Sequence, residues 1–440
     1  MSMTRRTFAK SAFVAGLAPG FLRARGANDK LNIALIGSGG RGMQTFPQFA
    51  RENIVALCDI DSNANDKALL KAPGAKTYRD FRKLFDDAKS FDAVVVSTTE
   101  HTHFHATMLA LKAGKHVYCE KPLSYNIAEA RQIRLEAAKS KVATQMGNQM
   151  HATENMRRCF ELVRSYVIGP ITEVHVWVSR SWGLQSEEAA KRHKDVAVTP
   201  DSPKGSDPIP ANVDWDLWIA GAPMRPFNNV YLPGPKWYRF WDFANGTMSD
   251  LGSHWNDLPF WALNLESPVS IEAFGPKVHP DINPASMTAR YEYGPRGEEP
   301  GLTFNWYQGE DKPKRFTEKQ IPQWQNGVLF VGAKGMILYD YERHILLPES
   351  QFQGHRAPEP TLPRVKGHQA EWIECAKSGK QASSNFAYAG LLTEANHLGN
   401  VAYRTGKKIL WDAKNMRATN APEADQYIHR IYRRGWEKLV

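Results

Sequence analysis

Asp250 and His254 stand four residues apart, a spacing that puts two side chains on one face of a helix. Imidazole titrates nearest neutral pH and suits a general base, while a carboxylate beside it can orient the ring or take a substrate hydroxyl. Lys121 follows an apolar run at 116–119 that reads as a strand, and ligands of parallel sheets collect at such strand ends. An ammonium there hydrogen-bonds a reacting oxygen and stabilises developing alkoxide charge; desolvation eases its proton exchange. Together these three residues suit the removal of a proton and a hydride from a carbinol. A second cluster, His101, His103 and His105, has metal-like spacing. On a helix only His101 and His105 share a face, with no carboxylate or cysteine placed to complete a site, so no metal centre is expected.

Gly37-Ser38-Gly39-Gly40-Arg41-Gly42 is G-x-G-x-x-G. In a strand–turn–helix setting Gly37 permits the tight turn, Gly39 admits a pyrophosphate to the backbone, and Gly42 lets helix pack on strand. The helix N-terminus then offers free N–H groups to the anion, with Gly40 and Arg41 in the same loop. Asp59 closes the next apolar run, where a carboxylate accepts from ribose hydroxyls and repels a 2′-phosphate, favouring NAD over NADP.

The elements that must position these residues alternate. Apolar runs at 31–36, 54–58, 91–97 and 116–119 are separated by helix-like stretches at 42–51, 80–88, 103–113 and 127–139. Such alternation predicts a parallel sheet buried on both faces and a doubly wound Rossmann domain over 28–150. At 440 residues a second domain is expected. Runs at 171–178, 270–274, 286–293, 301–307 and 336–341 read as its strands, over 151–385. Residues 183–236 form a polar, Pro-rich insertion expected to cover the cleft or touch a neighbouring subunit.

Residues 1–27 read as a leader. Thr4-Arg5-Arg6-Thr7-Phe8-Ala9-Lys10 resembles a twin-arginine export signal, followed by a short apolar stretch broken by Pro19. This predicts passage through the twin-arginine translocase to the bacterial periplasm. Arg5, Arg6, Lys10, Arg23 and Arg25, with no acid among them, supply half of the net charge of +10. The remainder is mild and without a basic stripe, which speaks against nucleic-acid binding. No apolar run reaches the roughly 20 residues of a membrane span. Cys58, Cys119, Cys159 and Cys375 contain no C-x-x-C pair and are expected as free thiols.

Val117-Tyr118-Cys119-Glu120-Lys121-Pro122-Leu123-Ser124, Thr102-His103, Tyr78-Arg79-Asp80 and Asp250-Leu251-Gly252-Ser253-His254 resemble the motifs of the Gfo/Idh/MocA oxidoreductases, relatives of glucose–fructose oxidoreductase and inositol dehydrogenase. The likeness spans essentially the whole mature chain and is strongest over 31–150, while the Trp-rich 214–262 and C-terminal 367–440 stretches resemble an exported bacterial subgroup. The resemblance implies an α/β fold whose second domain carries a large open, mostly antiparallel sheet, with helices of 386–440 packing back on the Rossmann domain or a partner subunit. It makes Lys121 catalytic with Asp250 and His254, and sets Thr98, His103 and Glu120 beside the dinucleotide. Where many sugar-oxidising relatives carry a basic residue after the sixth strand, this chain reads Gly147-Asn148-Gln149-Met150-His151, leaving Asn148 or His151 for that role. Asp257 joins this substrate set, and Trp237, Arg239 and Trp241 either line a sugar site or pack in the core.

The expected protein is therefore an NAD-dependent oxidoreductase of a sugar, cyclitol or glycoside secondary alcohol, a homo-oligomer (dimer or tetramer) that holds its dinucleotide tightly. Two alternatives stand beside it: redox-neutral cleavage, epimerisation or elimination through bound NAD, and a carbohydrate-binding relative without catalysis.

Overall fold

A computed structural model describes residues 30–437; residues 1–27, expected as a leader, lie outside the described residues. Six strands, β1 (Asn32–Ile36), β2 (Asn53–Cys58), β3 (Lys76–Tyr78), β4 (Ala93–Val96), β5 (His116–Glu120) and β6 (Thr144–Gly147), form a parallel sheet in the order β3-β2-β1-β4-β5-β6. Val94, Val95 and Val96 are buried on both faces, which explains the unbroken apolar runs. The order reverses beside β1, and that switch point opens the crevice where a doubly wound sheet binds its ligand.

The second sheet has nine strands, β7 (Ile171–Val178), β8 (Ser270–Phe274), β9 (Met287–Tyr293), β10 (Leu302–Gln308), β11 (Gly327–Gly332), β12 (Gly335–Tyr339), β13 (His344–Leu347), β14 (Ile409–Asp412) and β15 (Arg417–Ala418). Their order is β13-β12-β11-β7-β10-β9-β8-β14-β15, and only β7 and β10 pair in parallel. Alternate residues of β9 and β10 are buried, as in a sheet with unlike faces.

The stretch after 385 does more than pack helices on the first domain. Helix Phe386–Thr405 lies between the two sheets' helices: Arg131 of helix Ile127–Lys139 donates to Glu394, and Asn256 donates to Asn396. Gly390 and Gly399 permit the approach, because a Cβ would meet Arg134 Cβ at 2.9 Å and Tyr291 Oη at 2.2 Å respectively. The chain then adds β14 and β15 to the second sheet.

The insertion packs Trp215, Trp218, Phe227 and Tyr231 into one aromatic cluster with Phe240 and Phe243, which follow it. It reaches the first domain just beyond β2. Val213 bridges Asp61, Asp214 N–H donates to Ile60 O, and Asn212 Nδ2 donates to Asp61. Arg79 clamps the carbonyls of Ile60 and Asn212 together.

Candidate active site

The glycine loop is built by close approach. Gly37 has φ +86°, and a Cβ there would lie 2.6 Å from the Ser97 carbonyl; a Cβ on Gly42 would lie 1.9 Å from Gly37 O. No larger residue fits this cradle. Helix Gly40–Phe49 begins with no side-chain cap and no acid in its first turn, so its N-terminal N–H groups remain open to an anion. Asp59 Oδ2 accepts from Gly39 N–H at 2.9 Å and Oδ1 from Asp61 N–H at 3.0 Å. Burial raises the Asp59 pKa, opposed by those same hydrogen bonds. Thr98 sits at the end of β4 and accepts from the Thr102 hydroxyl at 2.7 Å. These residues fit a nicotinamide dinucleotide, with the pyrophosphate on the glycine loop and the ribose toward Asp59.

The reacting centre is assembled across the domains. β5 ends at Glu120, which is buried and paired with Arg41 at 3.2 Å, so Lys121 emerges at the carboxyl edge of the sheet. Its ammonium is ion-paired with Asp250. Asp250 and His254 both lie on helix Gly246–Trp255, which runs unbroken through Gly252. That glycine has a packing reason, since a Cβ would meet Asn256 and Asn396 at 3.3–3.4 Å. Pro259 falls in the following helix, Asp257–Ala262, and does not disturb the pair. Trp182 Nε1 donates to the second Asp250 oxygen at 2.9 Å, and Tyr238 presents its ring 5.5 Å from Lys121 Nζ.

Burial draws the Lys121 pKa down to about 8, against the carboxylates of Glu120 and Glu100 and assisted by Arg41 and Arg180. Burial also holds His254 well below its usual value, with Lys121, Arg41 and His368 adding to the effect. His254 is thus a neutral imidazole at pH 7, and its Nδ1 is buried with no hydrogen-bond partner among the described residues. Such a set can take a proton at His254 and steady an oxygen anion at Lys121.

Other sequence-predicted residues lie elsewhere. His103 lies between two backbone carbonyls, Nδ1 2.7 Å from Pro122 O and Nε2 3.1 Å from Thr98 O; its neutral ring donates to one of them, between the two loops that flank the cleft. His101 meets Trp218 O at 2.9 Å and His105 packs against Tyr432 and Trp436; the three imidazoles diverge. Asn148, His151 and Asp257 come together fully buried, Asn148 and His151 bonding Asp257 at 2.9 and 3.0 Å, with the half-buried Tyr388 adding a bond at 2.5 Å. Arg239 is buried in an ion pair with Asp195 of the insertion. Trp237 stacks on Tyr238 at 3.9 Å and so backs the cleft, and Trp241 is buried in the main core.

Sequence reasoning passed over Glu100, Trp182, Tyr238 and Asn245. Glu100 was hidden among histidines and Trp182 at the mouth of the insertion; no spacing rule links either to Asp250.

Two family models match. One, described as an oxidoreductase family with an NAD-binding Rossmann fold, covers residues 31–148, and its companion, the C-terminal alpha/beta domain of the same oxidoreductase family, covers residues 201–438. Inositol 2-dehydrogenase of Salmonella typhimurium is 30% identical over 151 residues, 33% of this chain and 45% of that enzyme. The NADP(+)-dependent D-xylose 1-dehydrogenase of Hypocrea jecorina is 40% identical over 95 residues, 21% of this chain and 24% of that enzyme. The chain thus matches less than half the length of these curated relatives. An inositol dehydrogenase homologue from Azotobacter vinelandii, solved with NAD+, superposes with a TM-score of 0.58 at 15% identity, covering 87% of this chain and 98% of that one; at that identity the likeness is one of fold.

Proposed function

The chain belongs to the Gfo/Idh/MocA oxidoreductase family, and from that premise we propose that it oxidises a secondary alcohol of a sugar, cyclitol or glycoside at the Lys121–Asp250–His254 centre. The observation that carries this reading is the ion pair of Lys121, from the first domain, with Asp250, from the second, with His254 one turn along the same helix and within electrostatic reach of Lys121, at the edge of the sheet that bears the glycine loop. Bound NAD would supply the hydride acceptor. Gly37, Gly39 and the helix N-terminus hold its pyrophosphate, and Asp59 its adenosine ribose. The chain's own residues do the rest. His254, neutral through burial, accepts the hydroxyl proton; the Lys121 ammonium hydrogen-bonds the oxygen as its charge develops; Asp250, fixed by Trp182, orients Lys121. Asp59 favours NAD over NADP.

The insertion favours tight retention of the dinucleotide, because it closes on Ile60 and Asp61, one and two residues beyond the ribose carboxylate. A retained cofactor must be regenerated in place, which keeps redox-neutral cleavage, epimerisation or elimination as the second reading. The intact Lys121–Asp250 pair weighs against a purely carbohydrate-binding role. Export by the twin-arginine translocase to the periplasm, and assembly into a homo-oligomer, complete the proposal. Two measurements test it. Protein from the native compartment, dialysed and then denatured, is expected to release about one dinucleotide per chain, mostly NAD. Turnover of a polyol and glycoside panel is expected to yield a ketone, either as product or as an intermediate trapped in single turnover. Empty protein that turns over none of the panel would overturn the reading.

A further inference from the structure

Glu100 opens helix Glu100–Lys112, in the first domain, and is fully buried. Both carboxylate oxygens accept from the second domain: Oε1 from Asn245 Nδ2 and Oε2 from Ser249 Oγ, each at 2.9 Å. Asn245 immediately precedes helix Gly246–Trp255 and Ser249 immediately precedes Asp250 within it. Asn245 Nδ2 also donates to Tyr125 O at 2.7 Å, and its carbonyl accepts from Asn400 of helix Phe386–Thr405. One carboxylate therefore pins the first turn of the helix that bears Asp250 and His254.

A neutral amide or hydroxyl could tie the same elements at a smaller desolvation penalty. What a carboxylate adds is negative charge. We propose that Glu100 is a positioning residue for the reacting centre, holding the Asp250–His254 helix in register with Lys121 and placing a carboxylate within electrostatic reach of that ammonium. The role assigned to Lys121 rests on the oxidoreductase reading; the juxtaposition does not. Burial raises the Glu100 pKa to about 8, opposed by Asn245, Ser249 and Lys121, so Glu100 is largely a neutral acid at pH 7 and its charge reaches Lys121 only as pH rises through about 8. Lys121 itself faces Asp250 and His254 from their helix, Glu120 from β5, Arg41 from the glycine loop, and Arg180 from the end of β7. The same helix that starts with Glu100 also presents His103, whose pKa burial lowers to about 4, so it brings no charge near neutrality.

Glu100→Gln keeps the shape and removes the charge, since the Ser249 hydroxyl can turn to accept from the new amide. Glu100→Asp keeps the charge and shortens the reach. The readout is the titration of Lys121 in the protein with its retained dinucleotide, followed as the pH dependence of its acylation by acetic anhydride and read by peptide mass spectrometry. The parent midpoint is expected near pH 8, and Glu100→Gln is expected to lower it, because the negative charge that Glu100 gains over the same pH range is then missing. Glu100→Asp is expected to keep the midpoint but lose about tenfold in kcat at unchanged dinucleotide content, as is Ser249→Ala, which removes one donor. Coincident midpoints for parent and Glu100→Gln would overturn the electrostatic role. Losses of kcat that merely follow the folded fraction, measured by circular dichroism, would overturn the positioning role. The acylation midpoint needs no substrate, so it stands even if the proposed reaction fails.

Discussion

At the scale of single residues, burial decides what each group can do. Lys121 and His254 are both bases in a desolvated cleft, so burial pushes both toward their neutral forms. Lys121 starts high and comes down to about 8, remaining an ammonium at pH 7; His254 starts at 6.5 and falls well below it, so it is a free base. The two therefore take opposite roles at one pH. It follows that kcat/KM should fall as pH rises through about 8, where the Lys121 ammonium is lost, while the acid limb is displaced below the ordinary histidine range. Lys121→Ala and His254→Ala should each lower kcat by about 10²–10⁴-fold while leaving dinucleotide content and the unfolding midpoint close to the parent. A variant retaining more than half the parent's rate would remove that residue from the mechanism. Lys121, Asp250 and His254 were legible beforehand because motif and spacing name them. The roles of Asn148, His151 and Arg239 were not, since a polar residue reads alike whether it faces a cleft or a buried partner such as Asp257 or Asp195.

Elements were legible where their periodicity is undiluted. β7 and β8 and helix Ile127–Lys139 have the bounds that apolar alternation and capping imply. β3, with three residues of which two are exposed, and β6, short and partly polar as Thr144-Gln145-Met146-Gly147, carry too little pattern to read. β14 and β15 become strands only because β8 offers an edge far away in sequence. The turn between β1 and its helix shows the opposite case, where local sequence dictates geometry completely. Gly42→Ala would place a methyl 1.9 Å from Gly37 O, forcing helix and loop apart. The expected cost is about 1–3 kcal/mol or more of stability, with loss of dinucleotide binding, measured by thermal unfolding and by fluorescence titration with NADH. Parent-like binding would show that the loop tolerates a wider helix approach.

Across the whole molecule, the interior is unusually rich in neutral imidazoles. Burial lowers His101 and His368 to about 3 and His103, His105 and His397 to about 4. In the unfolded chain each takes up a proton near 6.5, while in the folded protein each resists until about 3–4. Between those limits the unfolded state binds more protons, so stability falls as pH falls, by about 1.4 kcal/mol per pH unit for each histidine. The unfolding midpoint should therefore drop steeply from pH 6.5 toward 4 and stay nearly level from 7 to 7.5; a flat profile through the acid range would show that the imidazoles gain partners on protonation. The sequence by itself determined the two-domain order, the doubly wound sheet and the dinucleotide loop through local pattern and spacing, and its motifs named Lys121, Asp250 and His254; that Lys121 meets Asp250 across 129 residues was decided by the tertiary structure. Tertiary structure alone decided that Glu100 and Trp182 join that set, that the Asn148–His151–Asp257 group is buried, and that the insertion closes on Asp61. Those depend on which surfaces meet across 68 residues or more of chain, and a linear pattern carries no record of a long-range contact.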